Sequence, residues 1–319
     1  MVNKFSIAPM MDRTDRHCRY FHRKLTQKSL LYTEMLHCNA IVKGDRENLL
    51  SYSPEEHPLA IQLGGSNPEL LAEASRISEE FGFQEINLNV GCPSNKVQSG
   101  MFGAILMKEP KLVAKCIRSM DMSTSLPVTI KCRIGVDEMD ENQHLDEFVL
   151  TTSDAGCKTF IIHARKAWLK GLSPKDNREI PPLNYNRVYK LKEKFPHLNI
   201  IINGGINSLD ESLHHLNYTD GVMMGRKAYD NPLILAEVDH KIFNQEKQDI
   251  QLDKILLGLL PYIQYEMEKG TKISHITKHL MGLFKGYNGA KEMRKFLVSI
   301  RDNMNPVDEF KFFLSKYVA

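Results

Sequence analysis

The sequence lacks any Cys-x-x-Cys pair, although it carries six cysteines, Cys18, Cys38, Cys92, Cys116, Cys132 and Cys157. That spacing supports neither a zinc site nor a thioredoxin-like motif, and scattered single thiols suit a reducing compartment. No metal site is expected. No apolar run is long enough to cross a membrane, and Met1 leads into a short strand pattern with no signal-peptide core. A cytoplasmic protein with no membrane partner is expected. No G-x-G-x-x-G follows an early strand, which argues against a doubly wound dinucleotide-binding sheet. Repeats and low-complexity tracts are also missing, and there is a single tryptophan, Trp168. Net charge is only +3, so its distribution carries more information than its size. With 42% hydrophobic residues in 319, the chain can bury a sizeable core, as one large domain or one large and one small.

What is present is a repetitive order of β-rich apolar runs and amphipathic stretches. The runs are FSIAPM from Phe5, LLYTEML from Leu30, PLAIQLGG from Pro58, EINLNVG from Glu85, PVTIKCRIG from Pro127, TFIIHAR from Thr159, NIIINGG from Asn199 and GVMMGR from Gly221. Several are apolar almost throughout, as parallel strands covered on both faces are. Helical patterns lie between them, from Pro68, Pro110, Asn186 and Ser208. Eight such units over roughly 240 residues match a (β/α)8 TIM barrel. After about Asn244 the strand signals stop, and from Gln251 the chain reads as helical: LDKILLGLLPYIQYEMEKG, ISHITKHLMGLFKGY and GAKEMRKFLVSIRDN, punctuated by Gly270, Gly286 and Gly289. The expected organisation is a barrel over residues 1–243 and a small C-terminal all-helical domain over 251–319. Between Gln251 and Ala319 there are 11 Lys and Arg against 7 Asp and Glu, while the rest of the chain has 31 against 32. Solvated helix faces would explain such an excess equally well.

Barrel enzymes carry their chemistry at the C-terminal ends of the strands. Those positions here hold Pro9-Met10-Met11, Gln62, Asn89 and Cys92, Lys131 and Arg133, His163 and Arg165, Asn203-Gly204-Gly205, and Gly225-Arg226. Glycine-bearing loops after the seventh and eighth strands are where such barrels commonly bind phosphate. One glycine alone would merely end a strand; two such loops in the expected places favour a phosphate-bearing ligand. Lys131 could snorkel to the rim, His163 could be a satisfied core residue, and Gln62 could serve backbone. Their convergence beside a phosphate site argues for a bound cofactor that all three touch.

The motifs NLNVGCPS, IKCRIG, IIHAR, NGGI and MMGR, with APMMDRTD at the start, resemble the flavin-dependent tRNA-dihydrouridine synthases. HARKAWLKGLSPKDNREIPPL, from His163 to Leu183, resembles specifically the A-type bacterial enzymes, and the similarity spans essentially the whole chain. The resemblance implies reduction of the uridine C5–C6 double bond at positions 20 and 20a of the tRNA D-loop, using FMN recharged by NADPH. It implies that Pro9, Met10 and Met11 lie along the flavin, that Gln62, Lys131 and His163 contact it, and that Asn203, Gly204, Gly205, Gly225 and Arg226 cradle its phosphate. Asn89 would touch the target nucleotide. Cys92 would protonate C5 while hydride reaches C6. That role needs an acid neutral at working pH, which a thiol with an ordinary pKa of about 8.5 provides. It also needs a loop able to close over an extruded base, which the glycine and serine content of GCPSNKVQSG would allow.

The substrate so implied accounts for the basic loop. From Arg165 to Arg178 stand Arg165, Lys166, Lys170, Lys175 and Arg178 against Asp176 alone, a composition suited to a phosphate backbone. Lys175, Arg178, Lys291 and Arg294 match positions that orient tRNA in the A-type enzymes, with Lys291 standing where the family usually has arginine. The expected partner is tRNA, with no DNA, and the chain is expected to be a monomer. Three rivals remain open: an FMN-dependent reductase of a free pyrimidine or other small molecule, a non-redox aldolase with a Schiff base on Lys131, and a tRNA-binding protein with an idle barrel. The first would not need a lysine-rich loop or a basic tail.

Overall fold

A computed structural model describes residues 3–94, 97–98, 100–247, 249, 251–285, 290–300 and 305–317. Gly286 and Gly289, read as helix stops, lie outside these residues, as do Asn95, Lys96 and Ser99 of the Cys92 loop.

All eight apolar runs form strands: β1 (Phe5–Ile7), β2 (Leu31–His37), β3 (Leu59–Gly64), β4 (Glu85–Asn89), β5 (Val128–Arg133), β6 (Thr159–His163), β7 (Asn199–Asn203) and β8 (Gly221–Met224). Each pairs in parallel with its neighbour in one sheet, in the order β1-β8-β7-β6-β5-β4-β3-β2. The seam between β1 and β2 is joined by Ile7 N–H to Leu30 O at 2.9 Å and Leu30 N–H to Phe5 O at 3.1 Å, which makes the sheet a barrel. The helices expected from Pro68, Pro110, Asn186 and Ser208 appear as Pro68–Glu80, Pro110–Asp121, Tyr185–Lys194 and Leu209–His215. Proline opens the first two, where its missing N–H costs nothing.

Successive strand residues point to opposite faces. Phe5, Ile86, Ile130 and Ile162 therefore pack outward into the core shared with the helices. Ala8, Tyr32, Ala60, Ile161, Ile201 and Met223 form a second cluster inside the barrel. On β4 and β5 the inward positions are instead Asn87, Asn89, Thr129, Lys131 and Arg133, so one side of the interior is polar.

From Leu252 on, the α-helices among the described residues are Leu252–Glu268, Ile273–Thr277, Ala290–Ser299 and Pro306–Tyr317. The stretch expected to be one helix from Ile273 breaks after Thr277 into a 3-10 turn, Lys278–Leu280, and then turns. Docking onto the barrel explains the break. His279 is buried, with Nε2 2.9 Å from Asp15 Oδ2 and Nδ1 3.1 Å from the Tyr229 hydroxyl. Gly282 lies so close to the Tyr229 and Asp230 carbonyls that a Cβ would stand 2.9 Å from each. Tyr262 stacks on Tyr20 with centroids 3.8 Å apart, and Arg16 pairs with Glu266 at 2.6 Å. Buried side chains of the tail, Leu256, Ile263 and Leu280 among them, belong to the same core as the barrel's outer face.

Candidate active site

The strand ends surround a cavity of about 360 Å³ at the C-terminal mouth. Of the residues nominated from sequence, Pro9, Met10, Met11, Gln62, Asn89, Cys92, Lys131, His163, Arg178 and Arg226 line it. Asn203 stands just behind, accepting a hydrogen bond from Lys131 Nζ at 3.1 Å and donating to Met223 O at 2.8 Å. Gly204, Gly205, Gly225, Lys175, Lys291 and Arg294 are not in the lining. Lys175 is exposed on the basic loop, and Lys291 and Arg294 are exposed on the tail helix Ala290–Ser299.

Cys92 owes its position to the end of β4. Asn89 Oδ1 accepts from the backbone N–H of Gly91 at 3.1 Å and of Cys92 at 3.0 Å, a side-chain-closed turn that puts the thiol over the mouth. The other side of the loop is pinned as well. Ala104 N–H bonds Cys92 O at 2.9 Å, and Gly103, at φ +74°, approaches so closely that a Cβ would lie 2.6 Å from that oxygen. Gln98 Nε2 bridges Pro93 O at 2.8 Å and Leu169 O at 2.9 Å, tying this loop to the basic one. The loop expected to close over a base is thus anchored at both ends by hydrogen bonds that glycine and serine content does not reveal. Cys92 is half-buried, while the other five cysteines are buried.

Burial, with the Arg133 guanidinium beside it, brings the Lys131 ammonium down to about 8, so it keeps most of its charge at neutral pH. Burial and the surrounding cations Arg133, Lys131, Arg165 and Arg178 push His163 well below the usual imidazole range, which leaves a neutral ring. Gly204 makes room for that ring: at φ +113°, a Cβ there would stand 2.5 Å from His163 Cδ2. Gly205, at φ +69°, gives way in the same manner to Leu183 and Tyr185. These two glycines therefore shape the protein's own packing, whereas a Cβ at Gly225 would meet Ala8 Cβ at an ordinary contact distance of 3.8 Å.

Three guanidiniums gather beside Gly225. Burial, and after it the repulsion of Arg226, lowers the pKa of both Arg165 and Arg178. Glu179 pairs with Arg226 at 2.8 Å, and Arg165 Nε is buried without a hydrogen-bond partner. Cations gathered at the mouth beside a glycine fit a phosphate group. The basic loop around it is folded on Asn177, which is fully buried and bonds the Trp168 backbone at both N–H and C=O. Arg133 stands at a strand end to which the sequence pattern assigns no role. Its Nε donates to Gly91 O at 2.9 Å and its Nη1 to Lys166 O and Asn177 O at 3.0 Å, joining the loops after β4 and β6. Arg13 and Met35 also line the cavity and went unnominated; the alternation of inward positions would have pointed to Met35's strand but not to its rim.

A parallel barrel with a thiol, a lysine, a neutral histidine and arginines gathered at its strand ends defines an α/β-barrel enzyme. The solved structure of a 2-naphthoyl-CoA reductase complexed with 2-naphthoyl-CoA shares the fold, with a TM-score of 0.57 over 74% of this chain and 49% of that one, at 10% identity. The family model for dihydrouridine synthase (Dus) matches residues 6–316, and the chain belongs to that family. It is 55% identical over 295 residues to the tRNA-dihydrouridine(20/20a) synthase of Escherichia coli (strain K12), covering 92% of this chain and 85% of that protein. It is 52% identical over 295 residues to the protein of the same name from Vibrio cholerae serotype O1, covering 92% and 90%.

Proposed function

We propose that this protein reduces uridine to 5,6-dihydrouridine in tRNA, at positions 20 and 20a of the D-loop, with FMN as its flavin and NADPH as reductant. FMN, when bound and reduced, supplies the hydride that goes to C6 of the uracil. Cys92 Sγ gives its proton to C5 and recovers one from water, so that one hydride and one proton complete the saturation. Gln62, Lys131 and His163 line the space for the flavin ring, beside the Pro9–Met10–Met11 segment. Arg226, with Gly225, offers the phosphate site, while Asn203 holds Lys131 in place. The neutral His163 ring can donate or accept a single hydrogen bond without adding charge.

Recognition of tRNA is assigned to Asn89 at the target nucleotide, Lys175 and Arg178 on the basic loop, and Lys291 and Arg294 on the helical domain 251–319. An extruded base costs a few kcal/mol of lost stacking, which backbone contacts from such lysines and arginines offset. The protein is read as a cytoplasmic monomer; no described helix is long and apolar enough to cross a membrane.

The observation that carries this reading is the half-buried Cys92 thiol held by Asn89 over a cavity that also contains Lys131, His163 and Arg226. The test is to incubate the purified protein with NADPH and tRNA from a strain lacking dihydrouridine, then map the modified positions. Dihydrouridine at 20 and 20a is expected, with FMN recovered on denaturation. Reduction of free uracil or uridine in preference to tRNA would overturn it.

A further inference from the structure

The polar side of the barrel interior is organised as a single directed chain of hydrogen bonds. At the mouth, the Gly91 and Cys92 N–H groups donate to Asn89 Oδ1. Asn89 Nδ2 donates to Gln62 Oε1 at 2.8 Å, and Gln62 Nε2 to Asn87 Oδ1 at 2.8 Å. Asn87 Nδ2 donates to Thr129 Oγ1 at 2.9 Å, and Thr129 Oγ1 to Glu85 Oε1 at 2.8 Å. The Tyr32 hydroxyl donates to that same carboxylate oxygen at 2.5 Å. Asn87, Gln62 and Thr129 are at most 1% exposed, so these bonds are made inside the barrel.

Every donor in this chain points toward Glu85. A carboxylate accepts only, so it obliges the Thr129 hydroxyl to donate downward and to accept from Asn87. That fixes which end of the Asn87 amide faces Gln62, and in turn which end of Gln62 faces Asn89. A competing acceptor for Thr129, the Ile86 carbonyl, stands at 3.5 Å. Reversing any amide would set donor against donor somewhere along a buried line, and an unsatisfied buried polar group costs ~1–3 kcal/mol. The strand carries this order from Glu85 at the closed end of β4 to Asn89 at the mouth, about 13 Å away at a strand rise of about 3.3 Å per residue.

The geometry points to Glu85 and Thr129 as positioning residues for the reaction: through Asn87 and Gln62 they fix the Asn89 amide that holds the Cys92 turn. Gln62, which lines the cavity, is left with one Nε2 hydrogen and one Oε1 lone pair for a ligand. Burial holds the Glu85 carboxyl above the usual carboxylate range, and the Tyr32 and Thr129 hydroxyls that donate to it oppose that rise only in part. The inference rests on Cys92 being the working thiol, and its test does not depend on that reading alone.

The test is the rate at which iodoacetamide alkylates Cys92, followed by peptide mass spectrometry on the purified holoenzyme, beside dihydrouridine turnover. Thr129→Val cuts the chain and Thr129→Ser keeps it; Glu85→Gln keeps the shape and removes the direction. Alkylation in Thr129→Val and Glu85→Gln should rise about fivefold, which is ~1 kcal/mol at 25 °C. Their kcat should fall with KM for tRNA unchanged, and Thr129→Ser should behave as wild type. If Thr129→Val does not fold, Glu85→Gln carries the test. Wild-type alkylation and turnover in the folded variants would overturn the relay, as would an equal effect in Thr129→Ser. Absence of dihydrouridine formation by the wild-type protein would instead overturn the function, with the alkylation result standing on its own.

Discussion

The two sides of the barrel interior solve the same packing problem in opposite ways. Between β6 and β8 the inside is filled by Ile161, Ile201 and Met223, which need only shape and exclusion of water. On β3 to β5 it is filled by Gln62, Asn87, Asn89, Thr129, Lys131 and Arg133, each bonded to a named partner. The apolar side supplies stability and tolerates conservative exchange. The polar side supplies little net stability, because buried hydrogen bonds mostly repay desolvation, but it specifies where Cys92, Gln62 and Lys131 sit. Chemistry and stability are thereby separated within one barrel.

That separation is open to direct attack. The largest effect is expected at the polar side's outlet: Cys92→Ala should retain FMN absorbance and NADPH oxidation while dihydrouridine formation falls about 10²–10⁴-fold, the usual worth of a general acid. Equal turnover with tRNA would reduce Cys92 to a packing residue. On the apolar side, Ile201→Ala should lower the unfolding free energy by ~2–5 kcal/mol through its cavity, with Cys92 alkylation unchanged. Urea denaturation reads that loss, and an altered alkylation rate would show that the two sides are coupled.

A subtler effect concerns Lys131. Without ligand, its ammonium titrates near about 8 in the folded chain against 10.5 in the unfolded one. Between those values the unfolded chain still binds the proton that the folded one has released, so stability contributed by this group rises with pH across the window. Below it both states are charged and the folded protein bears the full cost of burial. The stability of wild type relative to Lys131→Met should therefore increase from pH 8 to 10.5, and parallel pH curves would refute the assignment. The smallest expected effect lies outside the barrel: Lys291→Ala with Arg294→Ala should leave stability and FMN untouched. The log–log salt slope of tRNA binding should become shallower by roughly 0.7–0.9 per lost phosphate contact. An unchanged slope would leave these residues as solvated charges.

The strands were readable because each is a β-rich apolar run, six of the eight stopped by Gly or Pro, and their ends then named most of the cavity. What composition concealed were interactions made across the fold. Gly204 reads as a phosphate-loop glycine, yet its position is demanded by the His163 ring of another strand. Arg133 reads as a strand-end cation, yet it spends its donors on three carbonyls of two loops. The expected tail helix from Ile273 is interrupted where His279 turns back to Asp15, a partner more than 260 residues away in sequence. Helix periodicity carries no trace of such a partner, whereas the alternation Glu85, Asn87, Asn89 did carry the trace of a polar strand face.

The bridge made by Gln98 changes how substrate preference can be inherited in this molecule. Because one carboxamide clasps Pro93 O and Leu169 O, the thiol-bearing segment and the lysine-rich segment are tied to each other. Exchanging the lysine-rich segment alone for that of a distant relative would misplace the thiol even with every catalytic side chain retained. Divergence toward other uridines is thus expected to travel as a paired replacement, with both segments and Gln98 changing in concert. A chimaera carrying both should recover turnover that single swaps lose.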